Sequence, residues 1–431
     1  MKVFRTAILL TILAPVTRLT AQDSGKVVKL GGTYGAGRLP GIVVLPVPGS
    51  NGDSVRAMLQ RDLENGDRVT IIGRDADGLP PVSGTPNYDA FAQLGAASIV
   101  QASVTPQGEL HVAFHSVAEK RPVQARQFDL AGSPLSGEWR MSVHRAADSL
   151  ELWATGVVGI SATRIAFIRE GKVWTVDSDG AGAVMVEGAG YSMSPAWHPS
   201  GRYLAFSTLD PSSITMRDLS AGTSRRMTPV VANTSNSAPA FSPDGNTLAF
   251  ARATADGTEI YLMDAMKGGA ARKILTGREG GINTLPSFSP DSRQFAFVSG
   301  RLRNPQVYIS DVDGSNVRLL TDEGVGDRNY GRTNPSWAPD GHAIAYQSDN
   351  ENRFQIMTIS PSGKNITVLT GESANEHPSW APDSRHLVFS SVRSGKEQLW
   401  VLDTEGARTR QLTFGSTVSK MPAWSPQIPR K

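Results

Sequence analysis

The sequence predicts an α/β N-terminal domain followed by an all-β six-bladed β-propeller closed by the C-terminal strand. Three observations carry this. An aromatic box recurs six times beyond residue 164, at intervals of 44, 47, 49, 43 and 44 residues, a period that matches four short strands per unit. The first unit has no box before it, and the last box has no unit after it. Residues 41–154 contain no box and instead mix helical and strand periodicities.

The chain has 431 residues, of which 39% are hydrophobic and 19% charged, enough for packed cores in two or three domains. Its formal charge of +3 is local. Lys2, Arg5 and Arg18 are the only charged residues of 1–21, and the 40 remaining Lys and Arg balance 40 Asp and Glu. A neutral remainder offers no bulk attraction to a polyanion, so no nucleic-acid partner is expected. Residues 1–21 read as a secretory signal, with a cationic start, an apolar core at 7–16 (AILLTILAPV) and a cut after Ala21. A buried N-terminal helix, the alternative, would be interrupted by Pro15 and Arg18. The apolar run is about half of the ~20 residues a spanning helix needs, and no later stretch approaches that length, so no membrane insertion is expected. The absence of cysteine excludes disulfides, thiolate metal sites, cysteine nucleophiles and a lipid-modified cysteine at the cut. The periplasm is the simplest compartment for such an exported chain, which is expected to be monomeric.

After the cut, residues 22–40 form a Gly-rich segment (22–38, QDSGKVVKLGGTYGAGR) expected to be flexible. The α/β domain is expected over 41–154. Residues 41–47 (GIVVLPV) read as a short apolar strand. A helix follows from an N-cap at Asp53 through Glu64, with Val55, Met58, Leu59 and Leu63 on one face and Asn65-Gly66 as its stop. Residues 68–73 (RVTIIG) give a second strand and 88–94 a short helix. Residues 98–104 and 109–117 form a hairpin turning at 106–108. The spacing of Trp139, Val143, Ala146 and Leu150 predicts an amphipathic helix over 137–152. Residues 155–163 (TGVVGISAT), small and uncharged, read as a linker to the propeller at 164–431.

The boxes are PAWHPSG at 195–201, PAFSPDG at 239–245, PSFSPDS at 286–292, PSWAPDG at 335–341, PSWAPDS at 378–384 and PAWSP at 422–426. Each places an aromatic on an innermost strand, and its Pro-Asp-Gly-type turn reverses the chain into an apolar strand such as Leu204-Ala-Phe or Leu248-Ala-Phe. A third strand (Glu259-Ile-Tyr-Leu-Met-Asp) and a short outer strand (Arg318-Leu-Leu-Thr) complete the unit. Residues 165–177 supply second and third strands without a box, and the box at 422–426 supplies the missing innermost strand. The last strand therefore completes the first blade and leaves no open sheet edge.

Chemical motifs are few. His111 and His115 have the i, i+4 spacing of a helical zinc pair, but their segment alternates as a strand, where residues four apart are separated by roughly 13 Å. No H-E-x-x-H pattern accompanies them. The other histidines, at 144, 198, 342, 377 and 386, are scattered among turns and one helix. Asp177-Ser-Asp179-Gly180 and Asp311-Val-Asp313-Gly314 resemble the start of a calcium loop but lack its later acidic ligands. They read as hairpin turns, with adventitious calcium as the alternative. No phosphate loop and no G-x-S-x-G is present, and residues 190–194 (GYSMS) lack the second glycine. No cofactor is expected, and a chain ending inside its final blade is expected to lack a hydrolase domain. The set Trp197, Phe241, Phe288, Trp337, Trp380 and Trp424 recurs once per blade at an apolar position, which argues core packing rather than a glycan platform.

Six PAFSPDG-type boxes behind an exported α/β domain opening GIVVLPV resemble the TolB family, periplasmic components of the Tol–Pal envelope system. The similarity also covers the helix ending at 63–66 (LENG) and residues 94–100 (LGAASIV). The resemblance implies a non-enzymatic adaptor. Its propeller would bind a Pal-like peptidoglycan-associated lipoprotein and its N-terminal segment, here 22–38, a TolA-like inner-membrane protein, in support of outer-membrane integrity and cell division. It also implies a Pal-contacting rim just before the boxes, with Ser235, Asn236, Ala238 and Thr284 in it, Ser235 standing where the family pattern has a histidine. Blade geometry adds Asn334, Asn375 and Glu376 to the same rim. The competing reading is an exported propeller enzyme or glycan-binding protein that uses the central tunnel.

Overall fold

The computed structural model describes residues 39–428 except 76–77, 81–83, 188–189, 275–280, 303, 322–330 and 351–352. The expected signal peptide and the Gly-rich stretch 22–38 lie outside the described residues.

A five-stranded sheet organises the first part of the chain. Its strands are β1 (Gly41–Val44), β2 (Thr70–Ile72), β3 (Ser98–Val104), β4 (Glu109–Ser116) and β5 (Arg121–Asp129), in the order β2-β1-β3-β4-β5. β1 pairs in parallel with β2 and β3, and β3, β4 and β5 form an antiparallel meander. Helices α1 (Gly52–Asn65) and α3 (Gly137–Thr155) cover one face, where Val55, Leu59, Leu63, Val143 and Leu150 bury against Ile42, Val100 and Phe114. Helix α2 (Tyr88–Gln93) covers part of the other, with Tyr88 and Phe91 against Val43 and Ile99. Each such fully buried side chain contributes roughly 1.5–3 kcal/mol of transfer free energy.

One local expectation is corrected and two features go beyond the sequence reading. Helix α1 starts at Gly52 behind Asn51 in the left-handed region, with no side-chain cap. Asp53 is therefore a first-turn acid, favourable at the helix N-terminus, and not its N-cap. Gly52 is required because a Cβ there would run into the carbonyl of Val47. β5 was not anticipated, because only Phe128 of its nine residues is buried and no alternation shows in the sequence. The segment 155–163 is no free tether. Helix α3 ends at Gly156, Ile160 to Thr163 are buried, and the Asp148 carboxylate accepts the backbone N–H groups of Ser161 (2.7 Å) and Ala162 (2.9 Å).

Beyond Arg164 six four-stranded antiparallel sheets follow one another. Five are consecutive meanders. The sixth consists of Arg164–Arg169, Lys172–Asp177 and Val184–Glu187, completed on its inner side by Ser419–Trp424, with Trp424 opposite Ile165. The ring is closed by strand pairing across some 250 residues of chain, as the two incomplete repeat ends require. The box aromatics pack between blades. Trp424 sits among Phe167, Val388 and Leu412, and Trp380 among Ile356, Leu387 and Phe389. Serines of the PS-type boxes clip neighbouring blades, since Ser287, Ser336 and Ser379 accept the backbone N–H of Trp337, Trp380 and Trp424 at 2.9, 3.4 and 3.0 Å.

Every inner strand breaks register at the residue before the box proline. Those residues, Ser194, Ala238, Leu285, Asn334, His377 and Met421, all have φ between 49° and 56°. A proline cannot donate to the ladder and is tolerated in such a strand only at a bulge. The left-handed conformation is unfavourable for a residue with a Cβ by roughly 1–2 kcal/mol. Ala238→Gly is expected to stabilise the propeller by up to about 1 kcal/mol in urea unfolding, after the entropy of glycine is counted. A clear loss would show that the Ala238 methyl packing outweighs the strain.

Candidate functional site

In a meander blade the turns after the first and third strands share one end of the ring, and the second hairpin and the inter-blade connection share the other. The α/β domain sits on the first end. Arg68 reaches Asp383 of a box turn (2.9 Å), Arg408 reaches Asp67 (2.8 Å), and Arg140 reaches Asp177 (3.1 Å) and Asp179 (2.6 Å). The far end carries no other part of the described chain, and exposed apolar side chains gather there. Phe414 is 69% exposed, and Tyr191, Leu209, Val230, Val231 and Ile282 lie between 46% and 55%. All of these lie on inter-blade connections or at the end of a second strand. Exposed apolar side chains on the one open end of a fold make that end the candidate interaction surface.

Rigid cations stand among them. Arg169 and Arg252, two residues after the second-strand aromatic, and Arg301 and Arg393, four residues after it, stand near or just past the end of the second strand in four blades. Each guanidinium lies over two rings of its own blade, Arg252 at 5.3 and 4.7 Å from Phe250 and Tyr261 and Arg393 at 5.3 and 5.0 Å from Phe389 and Trp400. Three are also tied to the inner strand: Arg169 donates to Ser419 (3.0 Å), Arg252 to Asn236 (2.9 Å) and Arg393 to Asn375 (2.8 Å). Sequence reasoning missed these stacks, although an arginine follows the aromatic of the LAF-type strand by two residues in two blades and by four in two others.

The expected rim residues separate into three groups. Ser235 is exposed, and Thr284 and Glu376 are half-buried on inner strands opening to the far end. Burial pushes the Glu376 carboxyl up, and neighbouring Glu397 adds to this. Ala238 and Asn334 instead line the axial tunnel, together with Leu285, His377 and the box prolines, around a void of about 130 Å³. Asn236 and Asn375 are corrections. They are 2% and 0% exposed, and Asn375 also donates to Gln355 (3.0 Å), so they brace the inner strand and the stacked arginines rather than form an exposed rim. A strand position before the box alternates between tunnel and blade interior, which a linear reading of the repeat does not resolve.

His377 faces the tunnel, and burial lowers its pKa to about 4, with Lys420 acting in the same direction. His115 is buried and bonded to Tyr88 (2.9 Å), while His111 is paired with Glu109 (3.2 Å) on the half-exposed strand, so the two do not act together. The Asp177 and Asp179 carboxylates serve as ion-pair partners of Arg140, Arg164 and Arg61. Asp62, His144 and Asp179 come close enough to offer three ligand atoms to a cation. Guanidinium groups already engage Asp179, and His144 is bonded to Asp62 (2.6 Å), so that donor set is filled by the protein's own cations. Among the described residues no helix is long and apolar enough to cross a membrane.

Comparison with known proteins agrees with this architecture. A family model described as TolB beta propeller domain matches residues 153–428. A Tol-Pal system protein TolB of Anaeromyxobacter dehalogenans strain 2CP-1 is 34% identical over 200 residues, 43% of this chain and 44% of the relative. One from Polaromonas naphthalenivorans is 30% identical over 184 residues, 40% and 41% of the two chains. The matched stretch thus spans less than half the length of these curated relatives. The crystal structure of TolB from Acinetobacter baumannii has the same fold, with a TM-score of 0.77 at 23% identity, over 90% of this chain and 97% of that one.

Proposed function

The chain belongs to the TolB β-propeller family, and on that premise we propose that it is a non-enzymatic periplasmic component of a Tol–Pal system. In this reading the far end of the propeller docks the periplasmic domain of a Pal-like lipoprotein, and residues 22–38 engage a TolA-like inner-membrane protein. The observation that carries it is the set of exposed apolar side chains, together with arginines placed over aromatic rings, on the end of the ring that the α/β domain leaves open. Aromatic and apolar anchors supply contact area, and an arginine already fixed by stacking loses little entropy when it bonds a partner.

The test is calorimetric titration of the mature protein with the cognate Pal-like domain. Binding in the micromolar range or tighter is expected. Phe414→Asp is expected to weaken it at least tenfold with an unchanged melting temperature, because the ring makes little of the fold. No binding at tens of micromolar with both partners folded would overturn the lipoprotein-docking reading. Deletion of 22–38 is expected to leave this titration unaffected and to abolish capture of a TolA-like domain.

A further inference from the structure

The seam between the α/β domain and the propeller is built from charge rather than from a shared apolar core, and each side lends the other a histidine. His144 of α3 is fully buried, bonded through Nδ1 to Asp62 of α1 (2.6 Å), and its Nε2 stands 3.7 Å from Asp177 of the propeller. In the reverse sense, His386 of the propeller is fully buried, bonded to its own Asp383 (2.7 Å) and 3.3 Å from Asp67 of the α/β domain.

We propose that closure of this joint is proton-linked: the two domains take up protons as they dock and separate as rigid bodies when those protons leave. Around His144 the facing groups are Arg61 and Asp62 of α1, Arg140 and Asp148 of α3, and Arg164, Asp177, Asp179 and Arg410 of the propeller. Around His386 they are Asp67 and Arg68 beyond α1, Glu151 of α3, and Asp383, Arg385, Asp403, Glu405 and Arg408 of the propeller.

Burial opposes the charged form of both histidines, but their carboxylate partners outweigh it. His144 is raised to about 10, chiefly by Asp62 and Asp177, and His386 is raised by Asp383 and Asp67. Burial also raises Asp148 to about 6 and Glu151 to about 7. In the closed joint all four hold protons above their ordinary values, and the groups that closure itself adds are Asp177 and Asp179 beside His144, Asp67 beside His386 and Asp383 beside Glu151. Each of the four favours closure fully below its ordinary pKa and loses that contribution as pH rises through its raised value. Asp177, Asp179, Asp383 and Asp403 are held low and act in the opposite sense, but only as pH falls below the ordinary 3.8. Closure is thus most favourable near pH 4, loses the contribution of the two raised carboxyls by about pH 7 and weakens further toward pH 10 as the histidines deprotonate.

The chain has no cysteine, so two exposed positions, Gln107 in the β3–β4 turn and Val368 on an outer propeller strand, can be changed to Cys and carry thioether-linked spin labels. Dipolar spectroscopy is expected to give one narrow distance at pH 6 and a growing longer population toward pH 10, with circular dichroism unchanged. His386→Gln is expected to show the longer population already at pH 6. A distribution identical at pH 6 and pH 10, or a narrow one in folded His386→Gln, overturns the proposal. Native-state hydrogen exchange of the unaltered chain between pH 6 and 8, corrected for intrinsic rates, decides without any variant. Protection of 137–163 and 383–410 should fall relative to the blades at 235–320, and a uniform change across the chain overturns the proposal.

Discussion

Trp424→Ala is expected to lower the free energy of unfolding by about 3–5 kcal/mol, the range for an aromatic deleted from a packed core. The ring is 6% exposed and packs against Ile165 and Phe167 of the first blade and Ala381, Val388 and Leu412 of the last. Its indole N–H donates to Thr163 (2.8 Å), and its backbone N–H to Ser379 (3.0 Å). The substitution therefore opens a cavity at the joint between the two ends of the chain. Equilibrium urea unfolding, followed by fluorescence of the remaining tryptophans, measures the cost. Phe241→Ala, at the equivalent but half-buried position of an internal blade boundary, is expected to lose less. A Trp424→Ala loss under 1 kcal/mol, or one no larger than that of Phe241→Ala, would mean that closure does not depend on this contact. Trp424→Phe should recover most of the packing and forfeit only the indole bond, a difference of about 1 kcal/mol.

That the last strand completes the first blade was legible because the repeat is nearly periodic and its two ends are complementary. Residues 165–177 lack an inner strand and 422–426 lack everything else. The boxes also carried their own geometry, since an aromatic at a fixed offset from a Pro-Asp-Gly turn can be buried in every blade at once. The bulge before each box was implicit in its first proline, which cannot sit in a regular inner strand. Reading that proline only as part of the turn signature hid it, and with it the tunnel-lining role of Ala238 and Asn334.

The rest was hidden for a different reason. Asn236 and Asn375 look like surface groups in a linear sequence, and only the partner arginines, 16 and 18 residues away, make them internal. The ionic seam joins residues more than 300 positions apart, such as Arg68 with Asp383 and Asp67 with Arg408. No local pattern encodes such pairs, and a net charge near zero conceals them because they are balanced. The histidines read as scattered are the clearest case. His144 and His386 have nothing in common in sequence, yet they occupy reciprocal places on the two sides of one interface.

Asp177→Ala is expected to be as damaging as the loss of Trp424, by a different mechanism. The carboxylate is 2% exposed and accepts the Nε–H groups of Arg140 and Arg164, both at 3.1 Å, with His144 at 3.7 Å. Removing it leaves the buried His144 and the largely buried Arg140 short of a counter-charge, with only Arg164 part-exposed, a change that costs about 3–5 kcal/mol. Replacing both partners, as in Asp177→Leu with Arg140→Met, should cost less than Asp177→Ala alone, because no unpaired charge stays buried. Its pH dependence separates this pair from the protonated histidines. The neighbouring cations, His144 first among them, overcome burial and hold the Asp177 carboxyl below its ordinary 3.8. Such a group contributes its stability above that value and loses it as pH falls through the lower, folded-state one. The gap between the unaltered chain and Asp177→Ala in urea unfolding is therefore expected to persist at pH 5 and to narrow only below about pH 4. A gap that closes between pH 5 and 7 would show that the carboxylate is not held ionised by its partners, and the ion-pair account of the seam would fail with it.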